Sequence, residues 1–265
     1  MAYVAAQTQD RSGACGASGG IMSGHSKWAS IKHKKGANDA KRGQVFTKVI
    51  KEITVAARMG GGDLTANARL RAAIERAKAA NMPRDTMERA IKKGTGELEG
   101  VSYEEFCYEG YGPEGVAIIM DITTDNKNRT AAEIRKILNR KNGSLGSTNC
   151  VAWMFEKKGV INIDEKAIGE DELMELVLEA GADDMSKEGD SYEVITAPDA
   201  FSAVLAALGE KKIPVENAEV TRIQTSGEPV RLTGEKVRQV MDLLESLEEH
   251  DDVNSVSSNF DYTEE

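Results

Sequence analysis

The stretch GVINIDEKAIGEDELMELVLEAGADDMSKEGDSYEVITAPDAFSAVLAALGEKKIPVENAEVTRIQ (159–224) decides the architecture. Its polar and apolar residues alternate and then switch to a helical period, twice over. Residues 160–163 read as a strand, 170–180 as a helix, 183–187 as a weak strand, 192–196 as a strand, 200–208 as a helix and 218–223 as a strand. The order is βαββαβ, the split unit of ferredoxin-like domains.

Working outward, 104–110 and 114–122 (EGVAIIMDI) read as strands joined at the turn signal Gly112-Pro113. Residues 130–141 read as a helix with Ala131, Ile134, Ile137 and Leu138 inward, and 149–156 (NCVAWMFE) as a further strand. Beyond 224 there remain one helix, 233–249, and one strand, 253–260. These two would complete the earlier ββαβ set. The expectation is therefore a discontinuous ferredoxin-like domain, 99–157 with 226–265, carrying the βαββαβ unit, 158–225, as an insertion.

Toward the N-terminus the pattern is helical. Val45, Phe46, Val49, Ile50, Ile53, Ala56 and Ala57 recur at helical spacing, with Val55 and Met59 outside the stripe. A second helix begins near Thr65, with Leu70, Ala73, Ile74 and Ala77 on its core face. A third opens at Pro83, with Met87 and Ile91 inward and Gly94 closing it. Residues 22–98 are thus expected to form a basic three-helix domain, making an α/β (α+β) protein of one helical and two sheet domains. Residues 1–21 are small, polar and Gly/Ser-rich, and read as a disordered extension.

The formal charge of −10 would argue against a nucleic-acid partner, yet it is unevenly distributed. Residues 22–100 hold 17 Lys and Arg against 8 Asp and Glu, whereas 101–265 hold 16 against 35. In the first helix Lys41, Lys48, Lys51 and Arg58 cluster about 160° from the centre of the apolar stripe. Arg42 adds to that helix, and Arg69, Arg71, Arg76 and Lys78 to the next. Before them lies the arm GHSKWASIKHKK (24–35). Its Lys27, Lys32, Lys34 and Lys35 suit phosphates, and His33 and Trp28 suit stacking on unpaired bases. Trp28 serves equally well as an apolar anchor for the arm. A second basic cluster, Lys127, Arg129, Arg135, Lys136, Arg140 and Lys141, falls on an amphipathic helix and reads as a solvated face.

These features point to nucleic acid, DNA or ribosomal RNA, as the partner, with no cofactor and no metal. Cys15, Cys107 and Cys150 form no CxxC pair, which suits reduced thiols in a cytoplasm, and no run of eighteen apolar residues marks a membrane span. Phosphate-loop, dinucleotide, HExxH and GxSxG motifs are missing from the chain. The acidic pairs Asp183-Asp184 and Asp251-Asp252 read as solvated turns. Glu109, Asp121 and Asp125 are the sole support for a magnesium-dependent nuclease. The acidic C-terminal part leaves a protein-binding adaptor as a third reading.

The segments GHSKWASIKHKK (24–35), NMPRDTMERAIKKGTG (81–96), YEGYGPEGVAIIMDITTDNKNRT (108–130) and VAWMFEKKGVI (151–161) together resemble the YebC family, over residues 22–265. Its mitochondrial members include the translational activator of cytochrome c oxidase subunit I. The resemblance implies three domains, the first helical and two α/β. It also implies regulation of gene expression, as a transcriptional regulator or as a ribosome-associated factor. It begins at Met22, so residues 1–21 stand outside it.

Overall fold

The computed structural model describes residues 39–262, so the expectation for residues 1–21 lies outside the described residues. Three helices come first: α1 (Asp39–Gly60), α2 (Ala68–Ala79) and α3 (Arg84–Thr95). Val49, Ile53, Ala56 and Ala57 of α1 bury against Leu70, Ala73, Ile74 and Ala77 of α2 and Met87 and Ala90 of α3. Asn67 caps α2 by accepting the Leu70 N–H at 3.0 Å, and its amide donates to the carbonyls of Ala56 and Gly61. One side chain thus starts α2 and fastens it to the end of α1. Gly94 does not close α3. It lies inside the helix, where an added Cβ would stand 2.4 Å from the Thr54 carbonyl oxygen, so it is the point of closest approach to α1. The left-handed residue that ends α3 is Gly96, at φ 83°.

Next, β1 (Glu104–Tyr111) and β2 (Ala117–Thr124) pair antiparallel, from Glu104 opposite Thr124 to Tyr111 opposite Ala117. They are followed by α4 (Lys127–Arg140) and the two-residue β3 (Ser144–Leu145). Of the strand expected over 149–156 only the last two residues, Phe155 and Glu156, are in a strand. Residues Ala152–Met154 make a 3-10 turn, because the backbone N–H groups of Asn149, Val151 and Ala152 all donate to the buried carboxylate of Glu109. A chain curled around one carboxylate cannot also present a ladder edge.

The chain then enters β4 (Phe155–Asp164), α5 (Glu170–Glu179), β5 (Ala182–Glu188), β6 (Ser191–Thr196), α6 (Phe201–Glu210) and β7 (Asn217–Gln224). Their sheet runs β5-β6-β4-β7, all neighbours antiparallel, with Ile161, Ile163, Val194, Leu173, Val177, Val204 and Leu208 at its core. This is the βαββαβ unit read from the sequence.

The return path is β8 (Val230–Leu232), α7 (Glu235–Glu248), β9 (Val253–Ser258) and β10 (Phe260–Tyr262). β9 joins the first sheet to give the order β3-β1-β2-β9, while β8 and β10 form a separate parallel pair. Ile118, Met120 and Ile122 of β2, Ile134 and Leu138 of α4, Leu243, Leu244 and Leu247 of α7, and Val253, Val256 and Phe260 share one core. That core is assembled from segments on both sides of the βαββαβ unit. Among the described residues no helix is long and apolar enough to cross a membrane.

This arrangement generates a folding expectation. A fragment of residues 156–224 should unfold cooperatively on its own, because its core is complete within it. Residues 103–154 alone should show no cooperative transition, since they lack α7 and β9. Calorimetry of both fragments checks this, and a cooperative melt of 103–154 would refute the discontinuous arrangement.

Candidate nucleic-acid interface

Of the residues expected to bind nucleic acid, Lys27, Trp28, Lys32, His33, Lys34 and Lys35 lie outside the described residues. Lys41 and Arg42 belong to α1, and their side chains are not described. The remaining cations divide into two groups. On α2, Arg71 and Lys78 stand seven residues apart on one exposed face. The hydrogen bonds of Arg71 go to the carbonyls of Leu64 and Thr65, which leave its charge uncompensated. Arg69 and Arg76, also seven apart, pair with Glu105 and Glu52. Arg58 is exposed and donates to Ser102 Oγ and the Tyr103 carbonyl.

The lysines of α1 correct the sequence reading. Lys51 was expected on an open basic face, yet it is buried at 7% exposure. Its ammonium pairs with Asp252 and donates to the carbonyl of Asp251 at 2.9 Å. Lys48 donates to the carbonyl of Glu248. The face opposite the apolar stripe is therefore partly a docking face against the loop that follows α7. Val55, one turn after Lys51 and outside the stripe, is buried with it.

Asp252 is the centre of that contact, where the sequence predicts a solvated turn. It is 3% exposed. Besides Lys51 it accepts from Thr130 Oγ1 at 2.7 Å, Thr124 Oγ1 at 3.0 Å and the Arg129 guanidinium at 3.0 Å. Burial alone would raise its pKa, but the bonds from Lys51, Thr130 and Arg129 hold it well below the usual carboxylate range. No sequence signal marks it, because Asp251 beside it is exposed and chemically identical.

Between α1 and α4 this contact leaves an open groove of about 700 Å³. Gln44 and Thr47 of α1 line one wall and Arg129, Glu133, Lys136 and Arg140 of α4 the other, with Glu249, His250 and Asp251 at one end. Lys136 and Arg140, read as solvated, are indeed exposed along this open groove, whereas Arg129 is committed to Asp125 and Asp252. The groove carries both signs of charge, so it is no simple phosphate channel.

Glu133, His250 and Asp252 each place one potential ligand atom within 4.8 Å of the others. The Nδ1 of His250 accepts the Asp252 N–H, and its Nε2 lies 2.8 Å from Glu133 Oε2. Asp252, however, already accepts from two cations and two hydroxyls. A divalent ion would have to displace Lys51 and Arg129, so the trio is a hydrogen-bonded wall of the groove and a poor cage.

The trio considered for a magnesium site is likewise committed elsewhere. Glu109 holds the 149–152 loop, and although burial works against it, those three N–H groups keep its pKa low. Asp121 pairs with Arg222 of β7 at 3.1 Å and accepts from Cys107 Sγ at 3.0 Å. Burial opposes ionisation of Asp121 too, and Cys107 and Arg222 outweigh it. Burial and Asp121 push the Cys107 thiol up to about 11, so it donates and does not attack. Asp125 pairs with Arg129.

Replacing Lys51 by Ala should cost about 3–5 kcal/mol, the usual penalty for leaving one partner of a buried pair. Asp252→Asn should also destabilise, with a characteristic pH dependence. The folded pKa lies below the unfolded value of about 3.9, so the carboxylate stabilises above that pH and loses its contribution as pH falls. The difference in melting temperature between wild type and Asp252→Asn should be flat above about pH 5 and narrow below about pH 4. A gap that does not change down to the acid limit would show that Asp252 contributes only packing.

Against known proteins, residues 26–97 match the family model described as the TACO1/YebC protein N-terminal domain. Residues 103–260 match the TACO1/YebC second and third domain. A probable transcriptional regulatory protein of Desulforapulum autotrophicum is 56% identical over 244 residues, covering 92% of this chain and 98% of that one. Another from Syntrophobacter fumaroxidans is 58% identical over 246 residues, covering 92% and 98%. The crystal structure of a conserved hypothetical protein from Aquifex aeolicus superposes with a TM-score of 0.79 at 45% identity, covering 90% of this chain and 98% of that chain.

Proposed function

The chain belongs to the TACO1/YebC family, and we propose that it is a non-enzymatic, nucleic-acid-binding regulator of gene expression in the cytoplasm. It grips RNA, in the setting of the ribosome, through the arm and the outer face of the helical domain, without cofactor or metal. The observation that carries this reading is the charge partition. Residues 22–100 are strongly basic in a chain whose net charge is −10, and polyanion binding is the ordinary reason for such a split. Lys48 and Lys51 leave the binding set, and Arg71 and Lys78 remain on an open face. The candidate catalytic carboxylates are structural, which supports a binding role over a nuclease.

Transcription through duplex DNA is the second reading, favoured by the names of the relatives. Helices α2 and α3 follow each other closely, as in a helix-turn-helix. The first turns of α3, which would meet the major groove, expose Arg84, Asp85, Glu88 and Arg89, with Arg84 paired to Glu88, so they offer the phosphates no net positive charge. Trp28 and His33 among lysines suit unpaired bases better.

The test measures binding against salt for purified ribosomes and a panel of promoter duplexes at matched conditions. Ribosomes should bind more tightly, with less than about tenfold preference among duplexes. Reversing Lys34, Lys35, Arg71 and Lys78 to Glu should leave melting unchanged and shallow the slope of log affinity against log salt by about two to three. Nanomolar binding to one promoter that resists competitor DNA, without ribosome association, would overturn the RNA reading.

A further inference from the structure

The loop over 146–154 is more heavily braced than a connection between two sheets needs. The Glu109 carboxylate, 5% exposed, receives the N–H groups of Asn149, Val151 and Ala152 at 2.6–2.8 Å. Asn149 holds a left-handed φ of 64° to allow this. Val151, Met154 and Phe155 pack beneath the loop against Ala117 and Ile119. On this rigid base stands Trp153, 63% exposed, an unusual position for the largest apolar side chain.

Its neighbour in space is Tyr111, 38% exposed, at the end of β1. The Trp153 indole N–H and the Tyr111 hydroxyl both donate to one acceptor, the Cys150 carbonyl, each at 3.3 Å. The polar end of each ring is thereby tied to the loop, which limits its rotamers, while much of each ring stays open. Gly227, at φ 77°, brings the 225–228 turn beside the indole, where an added Cβ would lie 3.4 Å from Trp153 Cη2. Ser147, Thr148 and Asn149, all exposed, precede Cys150 on the same loop.

We propose that Trp153 and Tyr111 form a stacking platform for an unpaired nucleobase, a contact point in the middle domain separate from the basic helical domain. The proposal rests on the RNA reading above and adds to it where the strand goes. Two rings among polar residues are far smaller than the roughly 800 Å² per partner that a stable protein interface buries, and they match the size of one or two bases. Rings held in place by hydrogen bonds at their polar ends lose little freedom on stacking. The contact is sequence-tolerant, as every base offers a π-face.

The full chain carries two tryptophans, Trp28 and Trp153. Labelled with 5-fluorotryptophan, it should give two fluorine signals, of which Trp153→Phe removes one and so assigns it. Adding oligoadenylate of about 12 nucleotides should shift the Trp153 signal, and a duplex of matched length should not. Trp153→Ala should weaken oligoadenylate binding about 5- to 100-fold with an unchanged salt slope, and Trp153→Phe should recover most of the loss. Oligoadenylate that binds while the Trp153 signal stays still would overturn the platform and leave the RNA reading intact. Failure of the wild-type chain to bind oligoadenylate or ribosomes would remove both. Normal oligoadenylate binding by Trp153→Ala with loss of ribosome binding would assign the surface to a protein partner and refute the nucleobase.

Discussion

Asp252 holds the helical domain in register with the domain built on the first sheet. Its carboxylate collects Lys51 from α1, Thr124 from the end of β2, and Arg129 and Thr130 from the first turn of α4. Three distant segments of chain thus meet on two oxygen atoms. A buried pair of this kind gives little net stability, because desolvation offsets most of the attraction. It is costly to break by halves, however, and few other orientations of the helical domain would satisfy it. The contact fixes orientation more than it adds free energy. The groove between α1 and α4, and the direction in which the outer face of α2 points, both follow from it.

The same logic recurs at the other domain boundary. Asp121 of β2 pairs with Arg222 of β7, and Cys107 hydrogen-bonds to both. Glu109, two residues from Cys107 on β1, holds the loop through which the chain leaves for the inserted unit. Carboxylates placed on or beside a sheet could suggest metal chemistry, yet here each is matched to a cation or a set of N–H groups from another part of the chain. Low pKa values follow from that pairing. They are signatures of assembly in a protein whose domains meet through polar surfaces.

Local periodicity made the helices, the βαββαβ unit and the split core legible, because each depends on residues a few positions apart. What depended on distant partners was not. Lys51 and Arg58 lie on one side of a helix by spacing, and nothing in the sequence says that the first meets a carboxylate two hundred residues away. Asp251 and Asp252 are adjacent and identical, and only the fold buries the second. NCVAWMFE has strand composition, but its backbone donors are drawn to Glu109, so only its last two residues enter a strand. Gly94 looked like a helix stop because glycine serves both as a cap and as a contact point, and spacing alone does not distinguish the two.

These commitments narrow the surface available for a polyanion. A count of basic residues over 22–100 overstates the charge free to meet a polyanion, because Lys48, Lys51, Arg69 and Arg76 already face carbonyls or carboxylates of the protein. Exposed positive charge then remains on the α2 stripe of Arg71 and Lys78, on Arg58 near the end of α1, on Arg89, Lys92 and Lys93 of α3 and, by composition, in the arm that leads into α1. An interface with few phosphate contacts has modest electrostatic affinity. Contacts that salt does not weaken add to it, and stacking on an aromatic pair such as Trp153 and Tyr111 is one of that kind. The exposure of Trp153 and the partial neutralisation of α1 are in that sense linked. A domain docked through its lysines loses phosphate contacts, and an aromatic pair held open elsewhere can supply the missing free energy.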